Sequence, residues 1–190
     1  MTTTPRALRA DAARNRQALL EAARTCFARD GAATQMDSVA ASAGVGVGTL
    51  YRHFPTKTDL VHALFAERLA CFVARAEAPD AGSAWERLSA VVSEMIRAQS
   101  CDRALADAPT CEVAATRPEL AGVRATLRAR LESLIAEAIA AGDARPCLRV
   151  DDVLALCFNR HLAGRDEDGW RSYAAIALDG MRARDGLTAP

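Results

Sequence analysis

The sequence predicts an all-α protein, in which an N-terminal three-helix bundle with a helix-turn-helix precedes a larger helical domain. Hydrophobic residues make up 51% of the 190 residues and aromatic residues only 5%. Ala and Leu are abundant and runs of β-branched residues are few, which favours helices over strands. Apolar residues also recur at helical spacing, and glycine follows several such segments, as at Gly31, Gly44 and Gly142. Glycine ends a helix readily because it adopts positive φ at little steric cost.

The first helix is predicted from about Asp11 to Arg29. Its inner face carries the apolar residues Leu19, Leu20, Ala23 and Phe27. Residues 1–13 are rich in Thr and Arg and are predicted to form a disordered arm. Such an arm can reach a minor groove through arginine, and a solvated tail is the alternative. The predicted domains are this arm, a helix-turn-helix domain at 14–58 and the remaining body at 59–190.

Capping patterns mark four further helix starts. An oxygen-bearing side chain is followed three residues later by an acid at Thr34 with Asp37, Thr56 with Asp59, Ser83 with Glu86 and Thr116 with Glu119. Because such pairs satisfy the free amides of a first turn, they predict helix starts near residues 35, 57, 84 and 117.

Two short helices joined by a tight turn are predicted over residues 39–54. The first helix is predicted to end at Gly44, and the second to run from Val47 to Phe54, with Gly46 as its cap and Pro55 as its end.

The second of these short helices has two contrasting faces. Leu50 and Phe54 share one face, whereas a small, hydroxylated and basic set lies on or beside the other: Gly48, Thr49, Tyr51 and Arg52. A short helix with this outer face suits the major groove of DNA. An ordinary helical hairpin with a solvated outer face is the alternative.

The wider segment from Thr34 to Leu60 resembles the N-terminal domain of TetR-family transcriptional regulators. The resemblance is carried by Asp37-Ser-Val-Ala, Ala43-Gly-Val, Gly48-Thr-Leu-Tyr-Arg-His-Phe and Lys57, and it covers roughly residues 14–66. It implies operator DNA as a partner, a homodimer held by its last two helices as a four-helix bundle, and a pocket for a small-molecule effector in each body.

The outer face of the short helix supplies the predicted DNA contacts. We expect Arg52 to read a guanine edge, Val47 and Thr49 to contact thymine methyl groups, and Gly48 to permit close approach of the backbone. The resemblance implies contacts to phosphate or base from Thr49, Tyr51, His53 and Lys57. For Tyr51 the alternative is packing beside the core, and for His53 it is capping of the helix end. Family members often have Ser where this chain has Gly46.

The formal net charge is zero, but it is unevenly distributed. Through Ala66 the chain has eight Arg and Lys against five Asp and Glu, a net charge of +3. The remainder of the chain therefore has a net charge of −3. A basic head on an acidic body is typical of phosphate binding by the head alone.

The last two helical segments are apolar around most of their circumference, so each needs covering on two sides. A partner subunit is the predicted second cover, and a central helix buried in a monomer is the alternative. The predicted interface residues are Val153, Leu154, Cys157, Phe158, His161, Trp170, Tyr173 and Ala177.

Helices between Leu60 and Ala141 are expected, by resemblance, to enclose the effector pocket. Its predicted lining residues, for each of which plain core packing is the alternative, are Phe72, Trp85, Met95, Cys111 and Leu127. No charge pattern stands out, so an apolar or aromatic ligand is predicted, whose binding lowers operator affinity.

Other classes of protein are less well supported. Six cysteines raise the alternative of a thiol or metal sensor, but there is no C-x-x-C, and Cys157 with His161 is only a two-ligand pair. Three histidines outside any nucleophile motif, and no phosphate loop or dinucleotide turn, argue against an enzyme and predict no catalytic residue or cofactor. With neither an apolar leader nor a membrane-length apolar segment, the protein is expected in the cytoplasm.

Overall fold

A computed structural model describes residues 5–78, 82–101, 117–159, 162 and 164–183. Within these residues the all-α prediction is confirmed. The helices are α1 Pro5–Asp30, α2 Met36–Ser42, α3 Val47–His53, α4 Lys57–Ala76, α5 Ala84–Cys101, α6 Pro118–Ala140, α7 Val150–Cys157 and α8 Glu167–Met181. A 3₁₀ turn at Gly31–Ala33 follows α1.

The first helix starts earlier than predicted. It begins at Pro5 and absorbs most of the disordered arm expected over residues 1–13, of which residues 1–4 lie outside the described part of the chain. Proline suits the first helical position because its missing N–H would have no helical partner there. The Ala, Arg and Leu residues that follow are strong helix formers, which explains why the helix extends through this segment.

Helices α1, α2 and α3 form the N-terminal bundle, here called the head. Its interior is apolar and closed: Leu20, Val39, Ala40 and Leu50 are fully buried, and Phe54 nearly so. Burying one such leucine contributes about 1.5–3 kcal/mol, so these few side chains are enough to hold α3 against α2.

The body is organised around α4 and α6, which lie side by side and run in the same direction. An ion pair joins Asp59 to Arg117 where both helices begin, at 3.1 Å, and a second joins Glu77 to Arg130 further along, at 2.7 Å. Helix α5 packs on both, and α7 and α8 pack on α5. The body core, which is fully or almost fully buried, includes Leu69, Leu88, Ile96, Leu131, Leu162 and Met181.

Two of the predicted caps are confirmed. Thr56 and Asp59 form a reciprocal capping box at α4, and Ser83 exchanges hydrogen bonds with Glu86 at α5. The cap predicted at Thr34 is wrong, since its hydroxyl is buried and donates to backbone carbonyls at the end of α1, and α2 starts without a side-chain cap. Thr116 lies outside the described residues.

The described helices include none that is both long enough and apolar enough to cross a membrane.

Candidate nucleic-acid interface

The turn between α2 and α3 depends on one glycine. Gly44 has φ +67°, in the left-handed region where a side chain is strained, and its N–H donates to the Ala41 carbonyl at 3.1 Å. Gly46 then adopts extended backbone, and its carbonyl accepts from the N–H groups of Thr49 and Leu50 at 2.8 and 3.2 Å. The predicted cap at Gly46 is thus present, without a side-chain hydrogen bond.

Two apolar side chains fix the orientation of α3. Leu50 is fully buried and Phe54 nearly so, one helical turn apart. Arg16 of α1 lies over the Phe54 ring, with its guanidinium carbon 5.6 Å from the ring centroid. With one face of α3 held against α1 and α2, the opposite face must point out of the molecule.

That outward face contains four of the predicted contact residues. Val47 and Tyr51 are 41% and 44% exposed. Gly48 and Arg52 are also exposed, and a Cβ built on Gly48 meets no atom within 4 Å. The face thus combines apolar, small and cationic groups, which is the chemistry expected of a helix that enters a major groove.

Thr49 and His53 lie at the edges of this face and are only half exposed. The Nε2 atom of His53 is buried without a hydrogen-bond partner among the described residues, and its ring lies 6.3 Å from that of Phe54. This nitrogen is therefore not presented to a phosphate, and the contact that the resemblance implies for His53 stays a prediction.

Lys57 has an intramolecular role that sequence reasoning missed. Its Nζ donates to the Ala32 carbonyl at 2.5 Å and lies 5.6 Å from the centroid of the Phe27 ring. These contacts tie the first residue of α4 to the end of α1. An ammonium has three protons, so the hydrogen bond to Ala32 leaves donors for a phosphate.

Several of the head's arginines are paired within the protein. Arg24 forms an ion pair with Glu67 of α4, and Arg16 lies 3.6 Å from the same carboxylate. Arg29 pairs with Asp30. Part of the basic excess predicted for the head thus joins α1 to α4, and the outward cations beside α3 are Arg52 and Lys57.

Among the clefts lined by the described residues, the predicted effector residues do not share one. Phe72, Trp85, Met95 and Leu127 are all buried, and Cys111 lies outside the described residues. Leu127 borders a cleft of about 460 Å³ between α4, α6 and α7. The apolar residues of this cleft, here called the seam cleft, are Leu69, Ala121, Ala125, Leu127, Leu154 and Phe158.

The other predicted effector residues lie elsewhere. Phe72 borders a second cleft of about 340 Å³ beside α1 and α5. Trp85 borders neither cleft, and the Arg182 guanidinium lies 5.0 Å from the centroid of its ring. Met95 borders neither and packs in the core. Helical periodicity identifies buried faces but not which of them is left incompletely filled.

The predicted dimer face needs correction. Val153, Cys157 and Ala177 are buried within their own chain, and Leu154 and Phe158 border the seam cleft. Val153 and Cys157 face inward because α7 packs on α5 with that side, whereas Leu154 and Phe158 are half-buried and Ala177 borders a surface groove beside Ile176. His161 lies outside the described residues.

Trp170 and Tyr173 are half-buried, and each lies beneath an arginine, Arg171 and Arg165 respectively. The Tyr173 hydroxyl donates to the Leu156 carbonyl at 3.1 Å, so these aromatic residues are partly occupied by contacts within the chain.

A different apolar surface of α7 and α8 was missed. Ile176 is 70% exposed and lies in a surface groove of about 320 Å³ with Leu148, Leu156 and Gly180. Ile176 and Gly180 lie one turn apart on α8, on the side away from the buried Ala174, and Ala177 borders the same groove. We call these four residues, Leu148, Leu156, Ile176 and Gly180, the α8 face.

Four of the six cysteines can be compared with the alternative of a thiol or metal sensor, since Cys101 and Cys111 lie outside the described side chains. Cys26 and Cys157 are buried, and burial raises the pKa of the Cys157 thiol to about 12, so it stays protonated at neutral pH. Cys71 is exposed on α4, and Cys147 is exposed in the turn that precedes α7. Within the described ranges no three metal-ligating side chains come together.

Comparisons with known proteins agree with this geometry. Residues 19–64 match the family of bacterial regulatory proteins, tetR family, and residues 80–183 match the C-terminal domain of SbtR-like transcriptional regulators. The second match alone covers more than half of the chain.

Relatives and solved structures point the same way. The HTH-type transcriptional repressor KstR of Rhodococcus jostii (strain RHA1) is 37% identical over 78 residues, which are 41% of this chain and only 37% of that repressor. A TetR regulatory protein of Mycobacterium vanbaalenii is 37% identical with a TM-score of 0.68, over 93% of this chain and 99% of that one. The regulator SCO0520 of Streptomyces coelicolor is 28% identical with a TM-score of 0.66, over 88% and 98%.

Both halves of the chain match the same kind of protein, and a solved member of the family aligns along nearly the whole length. The family consists of transcriptional regulators and not of enzymes. The chain therefore belongs to the TetR family of bacterial transcriptional regulators.

Proposed function

We propose that the protein is a homodimeric repressor, which binds operator DNA through α3 and releases it when a small apolar or aromatic molecule binds in the body. The observation that carries this proposal is the outward face of α3, where Val47, Gly48, Tyr51 and Arg52 are exposed around two buried anchors. Apolar, small and cationic groups on one exposed helix face are the chemistry that reads base edges in a major groove.

The α8 face supports the homodimer. Ile176 projects from a groove with apolar walls, and Gly180 one turn away lets another helix approach closely. A two-fold pairing through this face presents two copies of α3, which then read two related half-sites on one duplex.

The seam cleft supports the effector site. Its walls are mainly leucine, alanine and phenylalanine side chains, and Arg124 and Arg128 stand beside them. At about 460 Å³ the cleft is within the range of small-molecule sites. It lies against α4, the helix that continues directly from the head, so a molecule bound there has a short path to the DNA-binding surface.

The proposal is tested by the binding of the full-length protein to duplexes that cover the DNA flanking its own gene. At about 150 mM salt, where phosphate contacts alone bind weakly, we expect selective binding by a dimer relative to a scrambled duplex. Equal and weak binding to all duplexes, at protein concentrations where the dimer is formed, would contradict the proposal. A selective duplex then serves to screen apolar compounds for release.

A further inference from the structure

The contact between α4 and α6 has an ion pair on either side of the seam cleft. Near the head, Arg117 Nη2 lies 3.1 Å from Asp59 Oδ1. Further along, Arg130 Nε lies 2.7 Å from Glu77 Oε1. The cleft opens between them, beside Leu69 of α4 and residues 121–128 of α6. A molecule that widens the cleft by moving α6 away from α4 therefore strains one ion pair or the other.

The two ion pairs differ in what else they hold. The second oxygen of Asp59, Oδ2, accepts from the Thr56 hydroxyl at 2.7 Å and from the Thr56 N–H at 3.0 Å, which completes the cap of α4. The Thr56 hydrogen bonds first, and then Arg117, hold the pKa of this carboxyl below its usual range, so it stays ionised near neutral pH. One carboxylate thus joins the first turn of α4 to the start of α6.

Glu77 has no comparable second contact with the head. It lies at the C-terminal end of α4, twenty residues beyond Lys57. Thr56, in contrast, follows the last residue of α3, His53, by three positions. A change at Asp59 therefore reaches α3, the proposed recognition helix, through a very short connection. A change at Glu77 has to pass along the whole of α4.

The Asp59–Arg117 pair is partly exposed to solvent and lies beside a buried histidine. The pair itself is about a third exposed, at 27% and 37% for the two side chains. One turn further into α4, His62 is only 6% exposed, and burial together with Arg117 lowers its pKa. An ion pair that is about a third exposed contributes only modestly to stability, so a bound ligand can break it reversibly.

We propose that the Asp59–Arg117 pair is the contact through which the body positions the recognition helix. Asp59 and Arg117 are positioning residues and need not touch DNA or effector. A molecule that spreads the seam cleft draws Arg117 away from Oδ1, which loosens the shared cap at Thr56 and lets the head, with α3 held in it by Leu50 and Phe54, shift relative to α4. This inference rests on the proposed function, in which α3 reads DNA and the seam cleft takes the effector.

The test compares Arg117→Gln with Arg130→Gln, which removes the matched ion pair between the same two helices. Amide hydrogen exchange is measured on the full-length protein without DNA, together with the unfolding midpoint of each variant. We expect Arg117→Gln to speed exchange of amides in residues 47–61 about two- to five-fold, beyond any change in global stability. Arg130→Gln should leave those amides unchanged, and Arg117→Lys should restore most of the protection.

Unchanged exchange at residues 47–61 in Arg117→Gln would overturn the inference. So would an equal increase in Arg130→Gln, because it would show that the effect is general destabilisation.

A second experiment uses the fact that coupling between two sites is reciprocal. If α6 positions the head, then DNA binding to the head must in turn affect α6. A duplex that the protein binds selectively should slow exchange at residues 117–124 in the wild type but not in Arg117→Gln. Selective binding without this response in the wild type would refute the link and leave the proposed function intact. Absence of selective binding would refute the proposed function, while the DNA-free comparison would still decide the link.

Discussion

Lys57 donates its ammonium proton to the carbonyl of Ala32 at 2.5 Å, across 25 residues of sequence, and so joins the first residue of α4 to the turn that ends α1. The same ammonium lies over the Phe27 ring. One side chain thereby joins α4 to the head at the edge of the predicted DNA-binding surface. We expect it to contribute both to the stability of the head and to phosphate binding.

Lys57→Met keeps most of the apolar stem and removes the charge. We expect the free energy of unfolding to fall by about 1 kcal/mol, from the lost hydrogen bond and ring contact. Affinity for specific and scrambled duplexes should fall by the same factor, and the salt dependence should flatten by about one unit. Lys57→Arg, which keeps the charge, is the control. Lower stability with an unchanged salt slope would mean that Lys57 serves only the fold.

Arg52→Ala should relax sequence preference. A bidentate contact to a guanine is worth about 1–3 kcal/mol of discrimination, and the base-reading part is lost only for the specific duplex. The measurement is the ratio of Kd values for the selective and the scrambled duplex. Arg29→Ala, at an exposed residue paired with Asp30 at the end of α1, is the control. An equal loss for both duplexes in Arg52→Ala would show that Arg52 contacts phosphate alone.

Gly48→Ala separates folding from DNA binding. The built Cβ meets nothing within 4 Å in the free protein, and Ala is favoured over Gly inside a helix by about 0.5–1 kcal/mol. We expect the unfolding midpoint to rise and DNA affinity to fall, because the methyl group intrudes where the backbone approaches the duplex. Gly122→Ala in α6, which is equally unobstructed, should raise stability alone. Undiminished DNA affinity in Gly48→Ala would place α3 further from the bases.

Ile176→Glu should weaken the dimer. The substitution places a charge at the centre of the α8 face, where Ile176 is 70% exposed in the isolated chain, and burying an unpaired carboxylate in an interface is unfavourable. Sedimentation or light scattering across a dilution series should show dissociation at higher concentration than in the wild type. Ala136→Glu, at an exposed position of α6, adds the same charge as a control. An unchanged dimer in Ile176→Glu would refute the assignment of this face.

His62 should make stability depend on pH. Burial and Arg117 lower its pKa from the ordinary value of 6.5. Below 6.5 the unfolded chain therefore takes up a proton that the folded state still refuses, and stability falls as pH falls until the folded pKa is passed. Chemical denaturation between pH 7.5 and about 5 should show a smaller loss of stability in His62→Leu than in the wild type. Parallel curves would mean that His62 titrates alike in both states.

Local signals predicted much of the head. The positive-φ glycine at position 44, the extended cap at Gly46 and the buried pair Leu50 and Phe54 are all where helical spacing and turn chemistry indicate. These features act over a few residues, so the sequence pattern is sufficient to identify them. The same reasoning failed at Thr34, whose hydroxyl donates to the carbonyls of Cys26 and Gly31 instead of capping α2. Whether this hydroxyl meets those carbonyls or the first turn of α2 depends on the path of the chain between the two helices.

The body was less predictable. Periodicity found that α7 and α8 are apolar on most sides, but it could not tell that Val153 and Cys157 turn inward while Ile176 stays exposed. Nor could it find the seam cleft, which depends on the distance between α4, α6 and α7. Which apolar face is covered by the same chain is decided by packing partners far apart in sequence.

The sequence by itself determined the helices, the helix-turn-helix and the identity of the outward side chains on α3, because periodicity, glycine and capping residues operate within one or two helical turns. Only the tertiary structure decided that Lys57 reaches Ala32, that Asp59 reaches Arg117, and which side of α8 remains open. Those relationships join residues 25 to 58 positions apart in the chain, and the parallel packing of α4 on α6 brings the second pair within bonding distance.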